Sequence, residues 1–356
     1  MDLLRRTMGP VFRKKALPTM FLSSQFMSPD ANKFDSVKIV VDIKRNGERL
    51  AIDIVRGTGG RNNANKRFTT KTYMPPSYNE AGNYSENERL QRAMGRTEYE
   101  EDRPALIIAA ITDDQVDLQR TILRAIEKQA ADAMFTGTVV LINNETVDFK
   151  QKASHQIAPA IDWSHADGVP LDDLAGGAKL NRIDGQNNTT DLIMGEDFWS
   201  LLKNNAQFQK FSDFRRVDQI NIRPPVMNSE GANFHGTITI GEYNINLWTY
   251  PQYYLVPTGF NLPNEGTSVP YIPTDKGWLG KIGSRFDLYY AGIVHLVTSD
   301  QRLVSLGIPQ TPTAVKGDFH PYAYVDTPGK NVVYGIESAP LCVPTDIDSF
   351  CTFTVK

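Results

Sequence analysis

The chain has 356 residues, 38 lysines and arginines against 41 aspartates and glutamates, and a formal charge of −3. With 40% hydrophobic and 22% charged residues it is neither collagen, coiled coil nor a wholly disordered chain. The near balance of charge argues against a histone-like DNA binder, and two cysteines, Cys342 and Cys351, cannot form a disulfide scaffold and fit a reducing compartment.

The first 35 residues are basic, Met-rich and broken by prolines 10, 18 and 29. Arg5, Arg6, Arg13, Lys14 and Lys15 face a single acid, Asp2, over residues 1–22. The prolines interrupt any amphipathic presequence helix, so the segment is expected to be an extended arm docked on a body or a neighbour. Val37, Ile39, Val41 and Ile43 then alternate, Asn46-Gly47 signals a hairpin, and Leu50, Ile52 and Ile54 give a return strand. Residues 56–71 hold five bases, Arg56, Arg61, Lys66, Arg67 and Lys71, and no acid, with Gly57, Gly59 and Gly60 in the same run. This is expected to be a long cationic loop with a contact role.

Residues 85–135 read as helical, interrupted near Arg103-Pro104, with the best helix over 112–135. Thr112 suits a cap, and Leu118, Ile122, Ala125, Ile126, Gln129 and Ala133 form its stripe. Gly137 stops it, and a short hairpin follows through Asn143-Asn144. A short helix is expected near 171–178, then a buried strand in DLIMG. One helix is expected over residues 196–211, with Phe198, Leu201, Leu202, Phe208 and Phe211 inward. From Ile220 the chain is mostly strands, the strongest in GTITI, YNINLWTY and AGIVHLV, with YGIESAPLCVP and FCTFTV returning to the core.

The usual chemical signatures are missing. His155, His165, His235, His295 and His320 contain no i, i+4 zinc pair, and there is no GxSxG elbow and no phosphate loop. No catalytic, cofactor-binding or metal residue is therefore named, and no segment is apolar and long enough to be a membrane helix. Instead, Glu98, Glu100, Glu101, Asp102, Asp113, Asp114 and Asp117 form an acidic set that the basic loop of a neighbouring copy could cover. Head-to-tail contacts of this kind close into rings or shells.

The carboxyl end carries the clearest resemblance. Ser338, Ala339, Pro340 and Leu341, followed by Asp346, Asp348 and Phe350, resemble the terminal motif of lambda-type tailed-phage major capsid proteins. Arg56 to Gly60 is similar to a stretch in that family's extended loop, and the element order agrees. Ile347 stands where the family often has proline. The resemblance implies an α+β, HK97-like fold: an N-terminal arm over 1–35, an extended hairpin loop over 36–80, a peripheral domain with its spine helix over 81–169, an axial domain over 170–325, and return strands over 326–356. It implies a non-enzymatic subunit of hexamers and pentamers in an icosahedral virion shell, assembled in the host cytoplasm around packaged DNA. The implied partners are further copies, a separate scaffold protein, a portal, a decoration protein and the DNA, touched without sequence reading. No cofactor and no membrane contact is implied. A tail-tube or baseplate subunit and a strand-rich hydrolase are the alternatives.

Overall fold

The computed structural model describes residues 20–44, 68–84, 103–141, 146–212, 220–260, 262–283, 286–294, 314–315, 317–325 and 331–355. The strands, in order, are β1 (Phe26–Met27), β2 (Ile39–Lys44), β3 (Phe68–Tyr73), β4 (Tyr78–Tyr84), β5 (Thr138–Val140), β6 (Thr146–Asp148), β7 (Gln156–Ile157), β8 (Asp191–Met194), β9 (Ile220–Met227), β10 (Asn233–Ile240) and β11 (Tyr243–Thr249). They continue as β12 (Tyr253–Leu255), β13 (Ser268–Pro270), β14 (Lys276–Gly280), β15 (Phe286–Tyr290), β16 (Ile293–Val294), β17 (Ala314–Val315), β18 (His320–Val325), β19 (Val332–Ser338), β20 (Pro340–Val343) and β21 (Cys351–Thr354). The helices are α1 (Arg103–Thr136), α2 (Pro170–Gly185), α3 (Glu196–Asn204) and α4 (Ala206–Ser212).

The long helix α1 has 34 residues and is about 50 Å long at 1.5 Å per residue. It runs from Arg103, so Thr112 lies within the helix and not at its start. The interruption expected near Arg103-Pro104 falls at the first described residues of this helix, and the residues before it lie outside the description. The helix ends where expected, at Gly137, whose φ of 65° is left-handed. Of the expected stripe, Ile122, Ile126, Gln129 and Ala133 are buried, while Leu118 and Ala125 are half-buried. Glu127, Ala130, Ala131, Met134 and Phe135 are buried as well, so the last turns are enclosed on several sides.

β4, β18 and β19 form a three-stranded antiparallel sheet, ordered β18–β19–β4, that packs on α1. Tyr334 of β19 lies over Gly82, where a Cβ would stand 2.6 Å from the ring, and bonds Asp114 of α1 at 2.6 Å. β2 pairs with β3, from Ile39 opposite Tyr73 to Lys44 opposite Phe68. The expected return strand over 50–55 and the Asn46-Gly47 turn lie outside the described residues. The expected short hairpin after α1 is present as β5 and β6.

The largest sheet has seven strands in the order β7–β21–β14–β8–β11–β10–β9. β8 is buried throughout, as its apolar run predicts, and runs parallel to β11 and antiparallel to β14. α2 is longer than the expected 171–178 because Gly176-Gly177 does not break it. A Cβ at Gly177 would meet the Phe353 ring at 2.7 Å, so this glycine lets the helix approach the sheet. The expected single helix over 196–211 is split at Asn205, whose buried side chain donates to the carbonyls of Trp163 and Gly168. Phe198, Leu202 and Phe208 are buried and Leu201 is half-buried; the Phe211 side chain lies outside the description. Of AGIVHLV, residues 291–294 are described, and β16 within them pairs with β17.

Two apolar clusters result. One joins α1 to β15, β20 and the segment at Phe21–Phe26; the other lies between α2, α3 and the seven-stranded sheet. β19 and β20 are separated by Ala339 alone, yet they belong to different sheets, β20 pairing with β15.

Candidate assembly surfaces and the packing behind them

Residues 21–23 are fixed on the body. Phe21 and Leu22 are buried, with Phe21 5.7 Å from the rings of both Trp248 and Tyr250. Glu127 of α1, fully buried, accepts from Leu22 N at 2.8 Å, Ser23 N at 2.9 Å and the Ser23 hydroxyl. Burial pushes the Glu127 carboxyl up, against hydrogen bonds from Ser23, Leu22 and Tyr250 that pull it down. The arm cations Arg5, Arg6, Arg13, Lys14 and Lys15 lie outside the described residues.

The same holds for Arg56, Gly57, Gly59, Gly60, Arg61, Lys66 and Arg67 of the basic loop, and for Glu98, Glu100, Glu101 and Asp102. Lys71 sits in β3, opposite Val41. At the base of this hairpin Ile39 and Tyr73 face the core while Val40 and Met74 are exposed. The remaining acidic residues lie on α1 but do not act as one free face. Asp113 is exposed, Asp114 is held by the Tyr334 hydroxyl, and Asp117 pairs with Arg120 at 3.2 Å.

The terminal motif is internal packing. Ser338 Oγ donates to the Asp318 carbonyl at 2.6 Å, and Ala339 O accepts from Ala291 N at 3.0 Å. Gln129 of α1 donates to Pro340 O at 3.2 Å and accepts from Cys342 N at 3.0 Å, clamping the strand that contains Leu341. Asp346 O accepts from Ser349 N and Oγ, forming a short turn, and Phe350 packs fully buried between Trp278 and Phe286. α2 comes so close here that a Cβ on Gly185 would lie 2.4 Å from the Asp348 carbonyl oxygen. Lys152 approaches Asp348 at 3.8 Å and Asp184 at 2.9 Å.

Beside the motif lies a constellation that the sequence did not reveal. His155, fully buried, has Nδ1 2.9 Å from the Phe350 carbonyl and 3.3 Å from Cys351 Sγ, and Nε2 3.1 Å from Asp184. A cysteine, a histidine and a carboxylate in this order superficially match a nucleophilic triad. The thiol is nonetheless sealed in the core and donates to Asn181 Oδ1 at 2.9 Å, and burial raises it to about 12. A thiol held protonated and out of reach is no nucleophile at neutral pH. The cluster ties the β7 segment, α2 and β21 together. Residues 29 and 196 positions apart carry no spacing signal, so only the fold could show it. Among the described residues no group of three or more His, Cys, Asp or Glu side chains is placed to hold a metal ion, and no helix is long and apolar enough to cross a membrane.

A spine helix under a three-stranded sheet, a second strand-rich lobe and a paired-strand extension define an α+β fold of the HK97-like capsid class. The solved structure of a protein described as a capsid protein of an Escherichia coli CFT073 prophage is similar at TM-score 0.60 and 17% identity, over 95% of this chain and 94% of that one. A phage-related protein of Bordetella bronchiseptica RB50 aligns at TM-score 0.47 and 11% identity, over 94% and 92%. A chain of Gordonia phage Cozz aligns at 0.45 and 12%, over 96% and 88%. The family model for phage major capsid protein E matches residues 5–355, and the chain belongs to that family. Its role is that of a major capsid protein, a structural subunit of the virion shell. No curated protein sequence matches it.

Proposed function

We propose that copies of this chain form hexamers and pentamers of an icosahedral shell around packaged DNA, with no catalytic step of their own. The observation that carries this is the family match along almost the whole chain. The arm over 1–35 and the loop over 36–80 reach neighbouring copies, the peripheral domain over 81–169 and return strands over 326–356 form the wall, and the axial domain over 170–325 meets its copies at the capsomer centre. Arg56, Arg61, Lys66, Arg67 and Lys71, with Gly57, Gly59 and Gly60 in the same run, engage an acidic neighbour surface that includes Asp113 and Asp117. Apolar packing supplies most of the contact energy, and the charges set register. Assembly takes place in the host cytoplasm with a separate scaffold protein and a portal; a decoration protein seals the shell, and the DNA is touched without sequence reading.

The test is Arg61→Glu with Arg67→Glu in the full chain, examined by electron microscopy. Particle yield is expected to fall while the subunit's circular dichroism stays unchanged. Normal particles from the double variant would retire the loop contact. Deleting residues 2–15 is expected to impair particles more than solubility.

A further inference from the structure

We infer that the loop between β12 and β13 is a contact between copies of this chain, anchored by Phe260; this rests on the shell-building role proposed above. Over residues 243–274 the sequence has a single charged residue, Glu265, in a chain that is 22% charged overall. That one carboxylate is turned back on its own loop. It accepts from Gly259 N at 3.1 Å, Phe260 N at 2.8 Å and Leu262 N at 2.9 Å.

The described residues of the loop are held by its own hydrogen bonds. Its neck is closed by Val256 N to Thr267 O and Gly266 N to Val256 O, both 3.0 Å. Gly259 and Gly266 take positive φ values of 91° and 70° in its turns. The ribbon below is seated on the wall, with Tyr254 5.2 Å from the Tyr271 ring and Lys128 of α1 6.0 Å over Tyr254. Tyr253 and Leu255 alternate with Tyr254 and point the other way, 52% and 67% exposed, and Phe260 at the tip is 59% exposed.

Three physical arguments select a second copy as the occupant. Where loops of rotation-related copies converge near their axis, like residues meet and like charges repel; the one charge of this loop, Glu265, is bonded to the loop's own N–H groups, and Phe260 beside it is uncharged. DNA would need cations, and residues 243–274 contain no lysine or arginine. An exposed aromatic on a loop already ordered by its own hydrogen bonds loses little freedom on docking, which is the character of an interface anchor.

The test uses the full chain under the conditions in which the wild type forms particles. Phe260→Asp puts an identical carboxylate on every tip; particle yield by sedimentation and microscopy is expected to fall about tenfold or more, as for loss of an anchor residue, with the thermal melt of the subunit unchanged. Phe260→Cys tests proximity directly. Cys342 and Cys351 are both buried, so oxidised Phe260→Cys particles should yield disulfide-linked dimers on a non-reducing gel. Wild-type yield from Phe260→Asp, as expected if another protein caps this loop, overturns the inference; so does the absence of dimers from Phe260→Cys particles. If the wild type forms no particles under any assembly condition, the shell reading itself falls and this inference falls with it.

Discussion

The carboxylate of Glu127 holds Ser23 twice, through its backbone N–H at 2.9 Å and through its hydroxyl. Removing the carboxylate leaves buried donors unanswered. Glu127→Ala is expected to destabilise the subunit by about 2–4 kcal/mol in a denaturant titration. Ser23→Ala is expected to cost less, because two backbone donors keep their acceptor. A cycle in which the two changes simply add would show that the pair is not coupled.

The same residue gives a pH dependence. Its folded carboxyl lies above the usual carboxylate range, so the folded chain keeps a proton that the unfolded chain has released. Stability from this group is therefore full at low pH and falls as pH rises through the folded value. Followed upward from about pH 4, the unfolded carboxylate value, wild-type stability should fall with a slope that Glu127→Gln lacks.

Asp184 behaves in the opposite sense. Hydrogen bonds from Lys152 and His155 hold its carboxyl below the usual range, so it stabilises the fold above the unfolded value and that contribution is lost as pH falls. Asp184→Asn should lower the melting temperature at neutral pH and flatten the loss of stability below about pH 4. An unchanged acid limb would remove Asp184 from the account.

Two glycines of α2 make a paired test. Nothing lies within 4 Å of a Cβ at Gly176, so Gly176→Ala should stabilise by up to about 1 kcal/mol. At Gly185 the new Cβ would strike the backbone of Asp348 and Ser349, and Gly185→Ala should destabilise by about 2 kcal/mol or more. Thermal melts of the two proteins should move in opposite directions.

The thiols should be silent in the folded subunit. Both cysteines are buried, and burial raises each thiol, Cys351 to about 12. A chromogenic thiol reagent at neutral pH should label neither until denaturant is added, and then both. Rapid labelling of native protein would mean that the core around Asn181 opens.

What the sequence made legible was periodic or punctuated. The apolar spacing through Ile122, Ile126 and Ala133 marked the long helix, Gly137 marked its end, and the unbroken DLIMG run marked a central strand. Thr112 reads as the start because a capping residue before two aspartates looks like a helix end, whereas the helix runs on through it from Arg103. Asn205 was read through because a polar residue between two helical runs shows no break until its carbonyl partners are known. The pairing of β2 with β3 needed contacts across more than twenty intervening residues. Glu127 and His155 were invisible for a related reason. A buried polar side chain is justified only by distant donors, and neither its spacing nor its neighbours announce them. The self-satisfied Glu265 could have been suspected, since it is the sole charge in a long uncharged stretch.

The crossing at Ala339 has a mechanical consequence. A single residue passes from the sheet that rests on the long helix to the sheet paired with β15, and its own carbonyl is already bonded to Ala291. Such a joint has no slack. Tension on β19 would pass directly to β20, with no intervening coil to absorb it.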